Sequence, residues 1–329
     1  MILILTEPAD VHADRVAEKL HDRAAPFLRF NPAEFPRHAG LSVRFLGEDE
    51  RRFVLQAHDQ SVDLAALQAI WYRRPKPPVA HARLTDTATR TATQQECETF
   101  LQDLWNSIGG RWVPGPPFML RRWRKLAQLG LAQDLGFELP PTLVTNRPDE
   151  LIAFYRQHNG NIVSKRVGSS FLSGEASPFY RYTDVVTTRD VGYAQAIRYA
   201  PMIFQAYVPK ELELRITVVG SQVFAAEIHS QETNHTRYDW RRFDHHHTPY
   251  LPHELPRGVA QRCAHLVHRM GLTFGAIDMI LTPDGRYVFI EINANGQYLW
   301  IEYATGLPIS DAVCDLLIRG PAPTPPGHE

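Results

Sequence analysis

Short apolar runs bounded by turn residues alternate with helix-length amphipathic stretches along the first third of the chain. Strand-like runs fall at MILILT (1–6), PFLRF (26–30), LSVRF (41–45), RRFVLQA (51–57) and AIWYRRP (69–75), the last stopped by Pro75. A helix is predicted from about Ala9 to Ala24, and Asp86 is placed to cap a long helix reaching Trp105. The segment WVPGPP (112–117) then reads as a proline-rich joint. Beyond it come a helix in LRRWRKLAQLGLAQDLG (120–136), the run PPTLVTN, a helix from about Pro148 to His158, and the strand NIVSKRV (161–167). From Met202 the pattern turns strand-rich: MIFQAYV, LELRITVVG and QVFAAEI, then a loop, a helix over about 256–270, and a hairpin of GAIDMIL with RYVFIEIN. The fold class this predicts is α/β, in three parts: residues 1–113, 114–200 and 201–320, with a proline-rich, disordered tail at 321–329.

Composition changes this picture little. A chain of 329 residues favours two or three domains over one small core. With 44% hydrophobic and 22% charged residues it has the balance of a soluble globular protein, and a net charge of −1 argues against general affinity for nucleic acid or an anionic membrane. MILILT is too short for a membrane span and lacks the basic leader of a signal peptide. Cys97, Cys263 and Cys314 are few, odd in number and widely spaced, which argues against a disulfide framework and for a cytoplasmic protein.

The C-terminal hairpin carries the clearest chemistry. Glu291 and Asn293 interrupt an apolar strand on one face, about 7 Å apart, and Asp278 lies on the strand before. Two carboxylates and an amide oxygen suit Mg²⁺, which takes oxygen ligands and shares them with nucleotide phosphates. The register decides whether they meet. A two-residue loop at Pro283 and Asp284 sets Asp278 diagonal to Glu291 on one face. A three-residue loop including Gly285 flips the parity, and the metal reading then needs a second bulge. An exposed hairpin with its polar side outward is the plain alternative.

Only five of the 35 cationic residues are lysines: Lys19, Lys76, Lys125, Lys165 and Lys210. Where arginine is the default surface cation, a retained lysine can mark a site needing a compact ammonium. Lys19, on an amphipathic helix, and Lys76, in a proline-rich loop, read as surface residues. Lys125 follows Arg121, Arg122 and Arg124 at a basic helix start, a feature that is ordinarily just solvated. Lys165 breaks an apolar strand just before the loop GSSFLSGEASP, a context suited to holding triphosphate oxygens. That loop has only Gly168 and Gly174, and neither a P-loop nor a GxGxxG fingerprint occurs in the chain. Pro209 breaks the strand pattern after Gln205, Ala206, Tyr207 and Val208, exposing backbone groups that suit an adenine edge. Glu213 and Arg215 share a face of the next strand, where they suit a ribose and a phosphoryl group, or form an ordinary cross-strand ion pair. His245, His246 and His247 lack regular ligand spacing and read as solvated rather than as a zinc site.

In order, a helix lysine, a strand lysine, a Gln-x-Tyr-Val linker, Glu-x-Arg on a strand and Asp…Glu-x-Asn resemble the ATP-grasp superfamily across residues 118–310. The segments WYRRP, ELRITVVG, IHSQETNHTRYDWRRFD and EINANGQYLWIE are similar to one branch of it, the microviridin-type or graspetide synthetases that macrocyclise ribosomally made peptides. The resemblance implies an ATP-grasp fold behind an N-terminal pre-ATP-grasp domain. It implies ATP phosphates on Lys125 and Lys165, adenine at Gln205–Val208, ribose on Glu213, and Mg²⁺ on Asp278, Glu291 and Asn293. Arg215 and Arg241 would stabilise the transferred phosphoryl group and an acyl phosphate. The implied partner is a precursor peptide whose Asp or Glu carboxylates are phosphorylated and then captured by Ser, Thr or Lys side chains; a homodimer is also implied. Ser230, Gln231, His235 and Asp239 sit where a substrate loop would lie, with no role assigned. Two other readings stay open: an intermolecular carboxylate–amine ligase resembling ribosomal-protein glutamate ligases or glutathione synthetase, and a non-catalytic ATP-binding protein.

Overall fold

The computed structural model describes residues 1–47, 50–168, 171–172, 179–180, 183–230 and 249–321. The first part is a parallel sheet of β1 (Ile2–Thr6), β2 (Phe27–Phe30), β6 (Ala69–Arg74) and β7 (Arg111–Val113), ordered β2-β1-β6-β7. Its insertion is an antiparallel sheet of β3 (Gly40–Phe45), β4 (Arg51–Ala57) and β5 (Gln60–Asp63). Strand alternation divides β1 between two cores. Ile2 and Ile4 pack with Ala13, Val16 and Leu20 of α1 (Val11–Asp22), while Leu3 and Leu5 pack with Leu101, Leu104 and Trp105 of α2 (Thr87–Ser107). Asp86 caps α2 as expected, its Oδ2 accepting from the Thr89 amide at 2.7 Å.

The helix expected over 120–136 is broken into α3 (Pro117–Arg122) and α4 (Lys125–Asp134). The break turns Trp123 inward, where its indole Nε1–H donates to the Met270 carbonyl at 2.6 Å and its ring joins a buried cluster. Tertiary packing overrides a sequence with no helix breaker at that point. The central sheet joins β8 (Thr142–Thr145), β9 (Ile162–Arg166), β12 (Asp184–Val185) and β13 (Met202–Ala206) in the order β12-β9-β13-β8, with α5 (Pro148–Gln157) packed on it. Within GSSFLSGEASP and just after it, β10 (Phe171–Leu172) pairs with β11 (Phe179–Tyr180). The helix α6 (Thr188–Gly192) and a 3₁₀ turn (Ala194–Tyr199) follow, where no element is read from sequence.

The last sheet is antiparallel, with the order β16-β15-β14-β17-β18: β14 (Leu212–Val219), β15 (Gln222–Ile228), β16 (Tyr250–Pro252), β17 (Phe274–Leu281) and β18 (Tyr287–Asn293). Leu212, Leu214, Ile216 and Val218 of β14 pack beneath Val259, Cys263, Leu266 and Val267 of α7 (Arg257–Arg269). The intervening Glu213 and Arg215 therefore face away from α7. Two closing helices, α8 (Leu299–Thr305) and α9 (Ile309–Arg319), share one core with β1, α1 and β6. At its edge Lys19 bonds Asp311 at 2.9 Å and Arg23 reaches both Asp311 and Asp315. Lys19 is therefore a contact between distant segments rather than a solvated side chain, whereas Lys76, pairing with Glu7, remains largely exposed. No helix among the described residues is long and apolar enough to cross a membrane.

Candidate active site

The hairpin between β17 and β18 turns through three residues, Pro283, Asp284 and Gly285. The Thr282 amide donates to the Arg286 carbonyl at 3.0 Å, and Gly285 takes the left-handed conformation such a loop requires (φ 82°). This is the parity-flipping register, and the compensating bulge is present. Met279 faces Phe289, Asp278 faces Glu291, and Ile290 between them has no residue opposite. The bulge returns Asp278 and Glu291 to direct cross-strand partnership, with Asn293 opposite Ala276 on the same side. Arg215 lies opposite Asp278 in turn. Its Nη1 donates to Asp278 Oδ1 at 2.7 Å and its Nη2 to the Gln297 carbonyl at 2.9 Å, with the guanidinium buried.

Opposite this face stands the central sheet, and between the two lies a cleft. Lys165 and Gln205 enter it from the central sheet, Ala206, Tyr207 and Val208 from the strand that leaves it, and Glu213, Asp278 and Glu291 from the last sheet. Gln205 donates to Thr142 Oγ1 at 3.0 Å, while the Ala206 and Tyr207 amides are held by the carbonyls of Pro141 and Asn161. These bonds fix the linker as one wall. Lys125 is the first residue of α4 and reaches the Arg166 carbonyl at the end of β9, 2.8 Å away, so it stands beside the strand that carries Lys165. Asn293 is exposed at the end of β18, its Nδ2 3.4 Å from Glu291 Oε1.

The donor set of Asp278, Glu291 and Asn293 fits Mg²⁺ chemically. All three supply oxygen, two are carboxylates, and they share one sheet face across two neighbouring strands. Among the described residues no group of three or more His, Cys, Asp or Glu is arranged as a metal site, so the candidate set depends on the Asn293 amide oxygen beside its two carboxylates.

A family profile described as the MvdD pre-ATP grasp domain matches residues 1–116. Among solved structures, the macrocyclase MdnC of Microcystis aeruginosa MRC, bound with precursor peptide MdnA, is 30% identical. It aligns over 97% of this chain and 99% of its own, with a TM-score of 0.85. A Chryseobacterium gregarium RiPP-associated ATP-grasp ligase, in complex with ADP and a leader and core peptide, is 32% identical over 96% of each chain (TM-score 0.88). The macrocyclase MdnB of Microcystis aeruginosa MRC is 34% identical over 97% of this chain and 99% of that one (TM-score 0.79). No curated protein matches the sequence. The chain belongs to the graspetide-type ATP-grasp ligases.

In this graspetide-type ligase Lys165, Gln205, Ala206, Tyr207, Val208, Glu213, Asp278 and Glu291 line one cleft, and Lys125, Arg215 and Asn293 stand beside residues that line it. Arg241 lies outside the described residues, as do Gln231, His235, Asp239 and His245, His246 and His247. Ser230, the last described residue before that segment, is fully buried. The ends of the segment are tied together beside it. Glu227 accepts from His229 Nε2 at 2.9 Å and from His253 Nδ1 at 2.8 Å, and His253 Nε2 lies 3.1 Å from the Tyr287 hydroxyl. Burial works against the Glu227 charge, yet the two histidine bonds hold its carboxyl below the usual range.

One cleft residue has no role in the sequence reading. Lys210 has a buried side chain, lines the cleft and pairs with Glu213, the residue expected at the ribose. The cross-strand ion pair considered for this strand is present at Arg215, which pairs with Asp278 of β17, while Glu213 pairs with Lys210. The scarcity of lysine is the signal that flags Lys210, but only the fold shows that the turn after Pro209 folds it back over β14.

Proposed function

We propose that this ligase uses ATP to activate Asp or Glu side chains of a ribosomally made precursor peptide and closes them onto Ser, Thr or Lys side chains of the same peptide. The observation that carries the reading is the shared face of Arg215, Asp278 and Glu291, set at the mouth of a cleft whose other wall presents Lys165 and the Gln205–Val208 linker. Similarity to a macrocyclase bound with its precursor peptide and to a ligase in complex with ADP and a leader and core peptide supports the substrate class.

In this reading the linker backbone takes the adenine edge, Glu213 the ribose, and Lys125 and Lys165 the phosphates. Asp278, Glu291 and Asn293 would hold Mg²⁺, which when bound offsets phosphate charge and the charge that develops on the transferred phosphoryl group. A peptide carboxylate oxygen takes the γ-phosphoryl group, giving an acyl phosphate and ADP. The hydroxyl or amine then attacks the acyl carbon, loses its proton, and expels phosphate as the ester or amide forms. Arg215 is held by Asp278 and the Gln297 carbonyl, so its charge is oriented before the reaction rather than during it. Arg241 is assigned to the acyl phosphate. A carboxylate is a poor electrophile until one oxygen becomes a good leaving group, and the chemistry needs no nucleophile from the protein.

Mass spectrometry tests this directly. The protein is incubated with ATP, Mg²⁺ and a short Thr-, Ser-, Lys-, Asp- and Glu-rich peptide encoded beside its gene. The peptide is expected to lose one water per ring, and not to do so with Glu291→Gln. A mass gain equal to an added amino acid would instead establish the intermolecular ligase. Nucleotide binding with no change in peptide or ATP would contradict both.

A further inference from the structure

The first sheet has a crevice that is filled by the chain itself. With the order β2-β1-β6-β7, the connections from β1 and β6 leave in opposite directions, and the space beyond their C-terminal ends is where open parallel sheets bind ligands. Here the loop after β18 enters it. Arg73, at the end of β6, donates from Nη1 to the Asn295 carbonyl at 2.6 Å. Its Nε lies 3.4 Å from Asp10 Oδ2, just beyond β1, and both side chains are 2% exposed. Asp10 Oδ2 also accepts from Thr6 Oγ1 at 2.7 Å. Alongside, His12 Nε2 accepts the amides of Tyr298 and Leu299 at 3.1 and 3.2 Å.

Simple docking of the first sheet onto the rest of the chain does not call for this arrangement. A large shared hydrophobic core and the partly exposed Lys19 and Arg23 bridges already do that. A buried guanidinium is a costly way to add adhesion, and among the described residues neither Nε nor Nη2 of Arg73 has a hydrogen-bond partner. The arrangement makes sense as aim. The Asn295 carbonyl it holds is two residues from Asn293 and two from Gln297, whose carbonyl Arg215 holds from the other side. Between them Gly296 packs so tightly that a Cβ would meet Ala276 Cβ at 2.3 Å. Two arginines from distant parts of the chain thus fix carbonyls on either side of a glycine that has no room to move.

We propose that Arg73, fixed by Asp10, is a positioning residue that sets the metal-binding end of β18, so that the first domain controls the geometry of Asn293 and of Arg215. The proposal rests on the reading of Asp278, Glu291 and Asn293 as metal ligands. It touches neither metal nor substrate; it acts through the Asn295 carbonyl, as outer-shell groups do in metal sites.

The test is Mn²⁺ binding to the protein–ADP complex, followed by electron paramagnetic resonance, alongside thermal melting and ADP affinity without metal. Arg73→Gln is expected to weaken Mn²⁺ binding by about 10- to 100-fold while metal-free ADP affinity holds. The double variant Asp10→Asn/Arg73→Gln, which leaves no unpaired buried charge, should melt closer to the parent yet bind Mn²⁺ as weakly as the single variant. Arg73→Lys should recover part of the loss. Lys19→Gln/Arg23→Gln, which loosens the same domain contact away from the loop, should leave Mn²⁺ binding unchanged. Parental Mn²⁺ affinity in the folded double variant would overturn the proposal alone, as would an equal loss in the Lys19/Arg23 variant. Failure of the parent–ADP complex to bind Mn²⁺ at all would overturn the metal reading and this proposal with it.

Discussion

Asp278 stands directly across from Glu291, one residue beyond the bulge made by Ile290. The bulge costs the hairpin one ladder position and brings two carboxylates side by side, an arrangement that a plain antiparallel pair would disfavour by like-charge repulsion. Arg215 offsets part of that repulsion from the next strand, bonding Asp278 Oδ1. In the proposed mechanism Asp278→Asn and Glu291→Gln each lower ATP-dependent turnover by about 100-fold or more, read as ADP release with peptide present. Asp278→Asn should also melt at the lower temperature of the two, because it alone removes the charge paired with a buried guanidinium.

The Lys210–Glu213 pair predicts a separable pattern. Both side chains are under a tenth exposed, so removing one partner breaks a buried ion pair. Lys210→Met is expected to destabilise the fold by about 3–5 kcal/mol and to raise the KM for ATP. Adding Glu213→Gln should restore most of the thermal stability but not the nucleotide affinity. A double-mutant cycle in melting temperature and in KM distinguishes the two effects.

The crevice around His12 makes stability depend on pH. Its Nε2 must be unprotonated to accept two backbone amides, and burial pushes its pKa below the ordinary 6.5. A histidine held neutral when folded contributes stability that is complete above 6.5 and is lost as pH falls below that value toward the folded pKa. Asp10 titrates in a different window. Burial opposes its charge, but the His12 bond, the Arg73 charge and the Thr6 bond more than offset that, so its contribution persists until pH drops below 3.8. Melting temperature should therefore decline from neutral pH toward pH 5, and the decline should be shallower in His12→Gln, which keeps an acceptor and removes the titration.

Gly296→Ala probes the loop from inside. The added methyl would meet Ala276 Cβ at 2.3 Å and Arg215 Nη2 at 3.0 Å, so β17 or Arg215 must shift. A destabilisation of about 1–3 kcal/mol is expected from overpacking, with a loss of turnover out of proportion to it. A variant that melts lower but turns over normally would show that Arg215 tolerates the displacement.

The strands of the candidate site were legible because polar and charged residues break their periodicity. β14 alternates Leu212, Leu214, Ile216 and Val218 toward α7 with Glu213 and Arg215 away from it, and β18 is apolar until Glu291. Local pattern cannot reveal partners that only the tertiary fold supplies. The sequence left the hairpin register open between two parities, and the answer required both a three-residue loop and the Ile290 bulge. The break at Trp123 follows from a carbonyl nearly 150 residues away, at Met270. α9 has helical spacing at Ile309, Ala312, Val313, Leu316 and Leu317, but its packing against α1 joins the two ends of the chain. Arg73 and Asp10 were hidden for the same reason: WYRRP reads as a strand end, and nothing nearby in sequence announces Asn295 as its target.

In the proposed function ATP activates a peptide carboxylate by phosphorylating it, and the fate of the carboxylate oxygens reports that step. A precursor peptide is made with ¹⁸O in its Asp and Glu side chains and incubated with the protein, ATP and Mg²⁺, and the released phosphate is analysed by mass spectrometry. Carboxylate phosphorylation predicts one ¹⁸O transferred to phosphate for each ring closed, with ADP as the nucleotide product. Ring closure with phosphate free of ¹⁸O, or with AMP as the product, would contradict it.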